Sequence, residues 1–235
     1  MSFVAVKTTE QQARGMLFRT RDLLVRQRTQ TINALRGHLA EFGVIAPQGP
    51  VHVERLASAL GDPDPDLPAA VRELANLLLE QIAGLGEKID GLEAEIRAAA
   101  RQDGEVRRLM TVPGIGPITA MAVQAFAPPM ETFRRGRDFA AWLGLVPRQH
   151  TTGGKARLGG ISKMGQRDLR RRLITGAMAV VSWVVRRGRT NDQWLARMLM
   201  RKPRMLVAVA LANRMARIVW ALMTKKESYR APVAA

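Results

Sequence analysis

The sequence contains no cysteine, 5% aromatic residues and only 20 acidic residues among 235. The absence of cysteine excludes disulfides and cysteine-ligated zinc, and it is typical of a cytoplasmic protein. No apolar segment comes after the first four residues, so we expect no signal peptide. The longest apolar stretch, residues 173–185, is too short to cross a bilayer and predicts a buried helix.

The second bulk feature is an excess of positive charge. The chain has 37 Lys and Arg, which gives a formal net charge of +17. Such a charge attracts a polyanion, whether DNA, RNA or an acidic membrane surface. Residues 134–204 hold 18 of these cations and only three acids, Asp138, Asp168 and Asp192. This local excess is larger than an ordinary solvated face requires, so it favours nucleic-acid binding over a purely structural role.

A first long helix is predicted over residues 9–42. Thr8 or Thr9, with Gln11 or Gln12 three residues later, has the pattern of a capping box. Glycine and proline after residue 42 end the pattern. Apolar residues recur at helical spacing within it, at Leu17, Leu24, Ile32, Leu35, Leu39 and Phe42.

A second long helix is predicted from Asp66 to about Arg101, after the helix-breaking residues 61–66. Its apolar residues have the spacing of a coiled coil. Two long helices joined by a proline-rich connection predict an antiparallel hairpin, and a dimer through the same residues is an equal alternative. The residues in question are Leu67, Leu74, Leu78, Ile82, Leu85, Ile89, Leu92 and Ile96.

The predicted fold is therefore mainly α. A long helical, coiled-coil hairpin in residues 1–102 precedes a compact helical domain in residues 103–226, and residues 227–235 form a frayed tail. Residues 173–226 are expected to be helical again, and the region before them to contain a short strand or two.

Residues 109–120 have the pattern of a helix-hairpin-helix motif, in which two helices meet at a tight Pro-Gly-Ile-Gly turn. Glycine permits backbone angles that a side chain forbids and lets the backbone approach a ligand closely. Free N–H groups at the start of the second helix can hold a phosphate. We expect Ile115 to point inward. The alternative is a helix-helix turn that contacts no ligand.

A basic, glycine-rich loop is predicted at residues 148–160, and residues 161–172 are predicted to open the next helix. Glycine, hydroxyl groups and cations at a helix entry can cradle a phosphate. Gly154-Lys155 lacks the spacing of a Walker A loop, so nucleotide hydrolysis is not expected.

Three motifs occur in order: Val-Pro-Gly-Ile-Gly-Pro-Ile-Thr-Ala at 112–120, Phe-Ala-Ala-Trp-Leu-Gly-Leu-Val-Pro-Arg-Gln-His at 139–150, and Gly-Gly-Lys-Ala-Arg-Leu-Gly-Gly-Ile-Ser-Lys-Met-Gly at 153–165. They closely resemble the C-terminal domain of insertion sequence 110 family transposases, especially the 1111 subgroup. Residues 26–38 look like the same family's linking helix, so the resemblance covers nearly the whole chain.

The resemblance implies DNA transposition guided by a structured RNA, with homo-oligomers formed through the coiled coil. Family members carry an N-terminal RuvC-like domain with four metal-binding carboxylates, whereas this sequence resembles only the region C-terminal to that domain. We therefore expect no metal site and no cofactor in these residues, with Mg²⁺ bound only by the RuvC-like domain. On this interpretation the chain alone is inactive in recombination.

The family's C-terminal domain supplies a serine that attacks a DNA phosphodiester, and Thr152 occupies the matching position. Thr151 is a weaker alternative. Ser162 is the nearest serine, with helix capping as its expected role, and His150 is expected to be solvated. The predicted DNA contacts are Gly114, Ile115, Gly116, Arg148, Lys155, Arg157, Ser162, Lys163, Arg167 and Arg170.

The same features leave two alternatives to a transposase fragment. One is a non-catalytic nucleic-acid-binding module of the helix-hairpin-helix type, and the other is a structural coiled-coil protein. The Thr-Thr-Gly-Gly-Lys loop is unnecessary in a pure binding module, and the charge at 134–204 disfavours a structural role.

Overall fold

The computed structural model describes residues 6–61, 67–150, 153–155 and 157–230. Within these residues the chain is mainly α-helical, as predicted, and the two short strands form one antiparallel sheet. Short 3-10 helices span Pro50–His52 and Met130–Thr132. The helices and strands are α1 Thr9–Ala40, α2 Val53–Gly61, α3 Ala69–Gln102, α4 Gly104–Leu109, α5 Pro117–Phe126, α6 Gly136–Trp142, β1 Pro147–Gln149, β2 Leu158–Ile161, α7 Arg167–Arg187, α8 Gln193–Arg201 and α9 Arg204–Lys225.

The chain divides into two compact units. One comprises Met16–Glu95, and the other comprises Met1–Gly15 together with Ile96–Ala235. The division falls inside α1 and α3, whereas the sequence pattern predicts a boundary after residue 102. Periodicity locates the ends of a helix, but it does not show which part of a continuous helix packs against which core.

In the unit of residues 16–95, α1 and α3 run antiparallel. Arg21 donates a hydrogen bond to Glu93 near the start of α1, and Leu35 and Leu39 share a core with Ala75 near its end. Because partner numbers fall along α3 as they rise along α1, the two helices point in opposite directions. Leu56 and Leu60 of α2 complete this core.

The predicted apolar pattern is correct at most positions and wrong at two. Leu74 is 64% exposed and Phe42 is 43% exposed. Ala75 takes the buried position that the pattern assigns to Leu74. A shift of one residue rotates the buried face of the helix by about 100°. Where leucines and alanines are adjacent, the sequence does not show which of them is buried. A dimer through these helices stays a prediction.

The predicted capping box forms at the start of α1. The Thr8 N–H donates to Gln11 Oε1 at 3.2 Å, and the Gln11 N–H donates to Thr8 Oγ1 at 3.2 Å. The two side chains thereby satisfy N–H groups that have no partner inside the helix.

In the second unit, α7 and α9 form the centre. Their buried faces include Leu173, Val181, Val207 and Met215, and α6 and α8 pack against α9. Among the described residues α9 is long and apolar enough to cross a membrane by length and composition. The central helix of a globular domain meets the same test, and one face of α9 is buried against α7.

A small polar network fixes α4. Asp103 caps this helix by accepting from the Glu105 and Val106 N–H groups, and it also accepts from the Gln124 amide. Burial raises the pKa of the Asp103 carboxyl, but these hydrogen bonds and the charge of Arg14 outweigh burial and leave that pKa below its ordinary value.

One residue of the predicted tail forms a hydrogen bond with the turn before α5, and the frayed tail as a whole stays a prediction. The Tyr229 N–H donates to Thr111 Oγ1 at 2.9 Å, and Tyr229 is half-buried.

Candidate nucleic-acid interface

The turn between α4 and α5 carries three of the predicted DNA contacts. Ile115 is buried, as predicted, and Gly116 is exposed at the N-terminus of α5 without a side-chain cap. Gly114 has φ +85°, and a Cβ there would lie 2.7 Å from the Gly176 carbonyl oxygen in α7. Gly114 is therefore required for close backbone packing onto α7, and Ile115 for the core. Phosphate binding at this turn stays a prediction, carried by the N–H groups after Gly116.

A second close backbone contact joins two of the sequence motifs. Residues 142–146 and 162–166, which we call the clasp, are linked by backbone hydrogen bonds, from the Ser162 N–H to Val146 at 2.9 Å and from the Lys163 N–H to Gly144 at 3.1 Å. Gly144 and Gly165 have positive φ, and a Cβ on Gly165 would collide with the Trp142 carbonyl. The Leu-Gly-Leu and Ser-Lys-Met-Gly motifs are therefore two halves of one structural contact.

Arg170 holds the two parts of the clasp together, and its predicted contact with DNA stays a prediction. It is buried, and its Nη1 donates to the Leu143 carbonyl at 2.9 Å and to the Met164 carbonyl at 3.0 Å. Burial lowers the pKa of the Arg170 guanidinium, and the charge of Arg167 lowers it further. This buried guanidinium therefore has a structural role in the clasp.

Ser162 is also placed differently from its prediction. The helix predicted to open at residue 161 begins at Arg167, and its N-cap is Gln166, so Ser162 is not a cap. Its carbonyl oxygen instead accepts from Arg148 Nη2 at 3.2 Å. Gly165 with φ +78° explains the late start, since the backbone must complete the clasp before the helix begins.

The clasp presents β1 and β2 as an exposed pair of strands, and we call the described residues from Pro147 to Ile161 the basic hairpin. The strands are antiparallel, and the His150 N–H donates to the Arg157 carbonyl at 2.8 Å. All of β1 is exposed and β2 nearly so. Thr151 and Thr152 lie outside the described residues, so the structure does not test the candidate nucleophile.

The remaining predicted contacts are exposed on or beside this hairpin. Within the described part of the chain none of them is ion-paired. The three acids of the basic region pair elsewhere: Asp138 with Arg135 at 3.6 Å, Asp168 with Arg171 at 3.6 Å, and Asp192 with Arg214 at 2.7 Å. The exposed cations are Arg148, Lys155, Arg157, Lys163 and Arg167.

A groove of about 1000 Å³ lies between the basic hairpin and residues 205–217 of α9. Arg148 and His150 of the hairpin and Lys163 of the clasp line one side, and Arg217 lines the α9 side. Sequence reasoning missed Arg217 because it lies more than fifty residues beyond the hairpin and no local pattern distinguishes it. Asn213 Nδ2 donates to the Leu145 carbonyl at 3.0 Å, which holds α9 beside the clasp.

The turn at Gly114 and the clasp contact different parts of α7. The clasp holds Arg170, whereas Gly114 meets Gly176, so the two contacts are about 9 Å apart along the helix axis at 1.5 Å per residue. In the described ranges no three His, Asp or Glu side chains come together as a possible metal site.

Comparison with known proteins identifies the class. The sequence profile described as "Transposase IS116/IS110/IS902 family" matches residues 106–193, which include the turn, the clasp and the basic hairpin. A "Probable family 20 transposase" of Pseudomonas aeruginosa is 47% identical over 98% of this chain and 69% of its own length. A "Putative transposase y4pF/y4sB" of Sinorhizobium fredii is 43% identical over 98% of the chain, which spans 59% of that relative.

The "Transposase for insertion sequence element IS1111A" of Coxiella burnetii is 38% identical over 98% of the chain, which spans 64% of that protein. The class is therefore that of insertion-sequence transposases. This chain belongs to the IS116/IS110/IS902 transposase family, which confirms the resemblance seen in its motifs. It spans roughly 60–70% of the length of these relatives.

Proposed function

We propose that this chain is the DNA-holding part of an insertion-sequence transposase, with the basic hairpin and the adjoining groove lying against the DNA backbone. The observation that carries the proposal is the set of exposed cations on and beside the hairpin, for which the described residues offer no acidic partner. Unpaired arginine and lysine side chains gain most when they neutralise phosphates and release counterions.

The shape of the hairpin supports the same proposal. A two-stranded antiparallel ribbon fits the major groove of B-form DNA, which is about 12 Å wide. The ribbon projects from a clasp that is fixed by backbone hydrogen bonds and by Arg170, so its cations start from a defined position. Less ordering is then needed on binding, which favours affinity.

The other components of the proposal rest on family membership. We propose that a structured RNA guides the choice of DNA and that α1 and α3 support a homo-oligomer in the bacterial cytoplasm. We also propose that Mg²⁺ is bound by a RuvC-like domain that these residues do not include. These residues would then hold DNA but would not recombine it alone.

The hairpin proposal predicts a specific loss of salt-sensitive binding. Replacing Arg148, Lys155 and Arg157 together by alanine should reduce the slope of log K against log salt for a duplex of the element's end by about 2.7, because each phosphate contact contributes about 0.9. Affinity at 0.1 M salt should fall on the order of 100-fold. Fluorescence anisotropy across a salt series measures both quantities.

A matched control removes the same charge elsewhere. Arg101, Arg107 and Lys225 are exposed and lie outside the hairpin and the groove. Their triple alanine variant should leave the slope within about 0.9 of the wild type. Equal losses in the two triple variants would mean that net charge alone drives binding, and the hairpin would lose its assigned role.

We further propose that Thr152 is the nucleophile at the family's serine position. Its hydroxyl oxygen would attack a backbone phosphorus, forming a Thr–O–P bond while the bond from phosphorus to the neighbouring sugar oxygen breaks and that oxygen takes a proton. With guide RNA and a RuvC-like domain added in trans, a protein–DNA adduct should appear on a denaturing gel and vanish with Thr152→Ala.

The serine variant separates two outcomes of that experiment. An adduct with Thr152→Ser but not with the wild type would reject threonine as a working nucleophile while keeping the site. Absence of an adduct in all variants, with DNA binding intact, would favour the non-catalytic binding module instead.

A further inference from the structure

A separate cavity lies beyond the turn, between α7, α8 and α9. Its volume is about 550 Å³, within the range of small-molecule sites. Its walls are mainly aliphatic, from residues such as Val184, Leu195 and Met215, and Val112 and Pro113 of the turn close one side. None of its lining residues belongs to the basic hairpin or the groove beside it.

Aromatic and cationic side chains surround this apolar cavity. Trp183 and Tyr229 line it, and Trp183 is 47% exposed although it lies in a stretch that the sequence predicts to be buried. The Arg187 guanidinium lies 4.6 Å from the centroid of the Trp183 ring. Arg189 also lines the cavity.

The acid at this cavity is already fully engaged. Asp192 accepts from Arg214 at 2.7 Å and from the Trp194 and Leu195 N–H groups at 3.1 Å, where it caps α8. Its charge therefore does not balance Arg187 and Arg189. The cavity thus combines apolar walls, an aromatic ring and an excess of positive charge.

We infer that this cavity binds one unstacked nucleotide of a single strand, with the base inside and its phosphate on Arg187 and Arg189. A nucleobase is a flat, uncharged ring attached to an anion, which matches walls that are apolar and a border that is cationic. Trp183 offers the stacking surface that single-strand binding proteins use. Asn191 and Thr190 also line the cavity and offer polar groups to the edge of a base.

Trp183 is about 24 Å along the α7 axis from Arg167 beside the basic hairpin, from sixteen residues at 1.5 Å each. The cavity is therefore a second site, and its occupation does not require the hairpin to hold DNA.

The test measures binding of the full chain to labelled single-stranded DNA and RNA oligonucleotides, each with and without one abasic position. Trp183→Ala should weaken binding to the intact strand about tenfold, the ordinary effect of losing one base–aromatic stack. The loss should disappear on the strand whose abasic position removes the bound base, because the same interaction cannot be lost twice. Trp183→Phe should retain most of the affinity.

Control variants separate stacking from charge. Arg189→Ala should weaken single-strand binding several-fold, whereas Arg201→Ala, which removes an exposed cation from α8 outside the cavity, should change it little. In the triple alanine variant of the basic hairpin, Trp183→Ala should still weaken single-strand binding to the same degree. If the hairpin proposal failed in the duplex-binding experiment, the expected effect of Trp183→Ala on single-strand binding would therefore be unchanged.

Several results would overturn the inference. Binding that ignores both Trp183→Ala and the abasic position would show that only the backbone is held. Undetectable binding to single strands would also overturn the inference. A change of oligomeric state with Trp183→Ala, without any change in oligonucleotide affinity, would assign the cavity to a second copy of the chain.

Discussion

Replacing Gly176 by alanine should destabilise the protein by about 3 kcal/mol, although glycine to alanine inside a helix ordinarily stabilises by about 1 kcal/mol. A Cβ on Gly176 would collide with the Gly114 carbonyl oxygen, which belongs to the backbone of a tight turn and cannot rotate away. Urea unfolding monitored by circular dichroism measures the change in the free energy of unfolding.

The same substitution at Gly91 is the matched control. Gly91 lies inside α3, and a Cβ there would meet nothing within 4 Å. Gly91→Ala should therefore stabilise by about 0.5–1 kcal/mol. If both variants were stabilised, the close approach of the turn to α7 would be wrong, and so would the structural role assigned to Gly114.

Arg170→Ala should cost about 3–5 kcal/mol of stability. Two hydrogen bonds from a charged donor are lost, each contributing about 1.5–3 kcal/mol, and the Leu143 and Met164 carbonyls lose that donor. Arg170→Lys should recover only part of the loss, because a single ammonium does not reproduce the planar geometry of a guanidinium. Thermal and urea unfolding of the full chain provide the measurement.

Replacing Arg167, three residues before Arg170, should affect DNA binding rather than stability. It is exposed and beside the basic hairpin, so Arg167→Ala should change stability by no more than about 0.5 kcal/mol while it weakens duplex binding. A stable Arg170→Ala variant with weakened DNA binding would confirm the predicted DNA contact of Arg170 and would contradict its role in the clasp.

These two arginines show why sequence alone separates structural from binding residues poorly. Arg170 stands in a run of three arginines inside a strongly basic region, and nothing in that run shows that Arg170 and Arg172 are buried while Arg171 is exposed. The choice depends on where the end of α6 lies, because its Leu143 carbonyl is one of the acceptors. Only the three-dimensional contact between residues far apart in sequence decides it.

Features that depend on local geometry are predicted well. Apolar periodicity predicts the mainly α fold, and residue spacing predicts the capping box at Thr8 and Gln11. The sequence of the turn predicts the burial of Ile115. The predicted capping role of Ser162 and the predicted burial of Leu74 are wrong, because the first depends on where a helix begins and the second on its rotation. The start of α7 and the inward face of α3 are set by packing, which a single sequence leaves undetermined.

The sequence also does not predict that residues of α9 line the candidate site. Arg217 and Asn213 lie in an amphipathic helix whose apolar face gives the dominant signal. Their position beside the basic hairpin results from the packing of α9 against α6 and from the hydrogen bond to Leu145.

The proposal that the basic hairpin lies against DNA is tested most directly by site-specific crosslinking. Because the chain has no cysteine, Lys155→Cys introduces a single thiol for a benzophenone label, and Lys225→Cys is the matched control on the last turn of α9. Ultraviolet crosslinks to duplex are expected from position 155, decreasing as salt rises, and few from position 225. Crosslinks of equal yield from both positions, or from position 225 alone, would contradict the proposal.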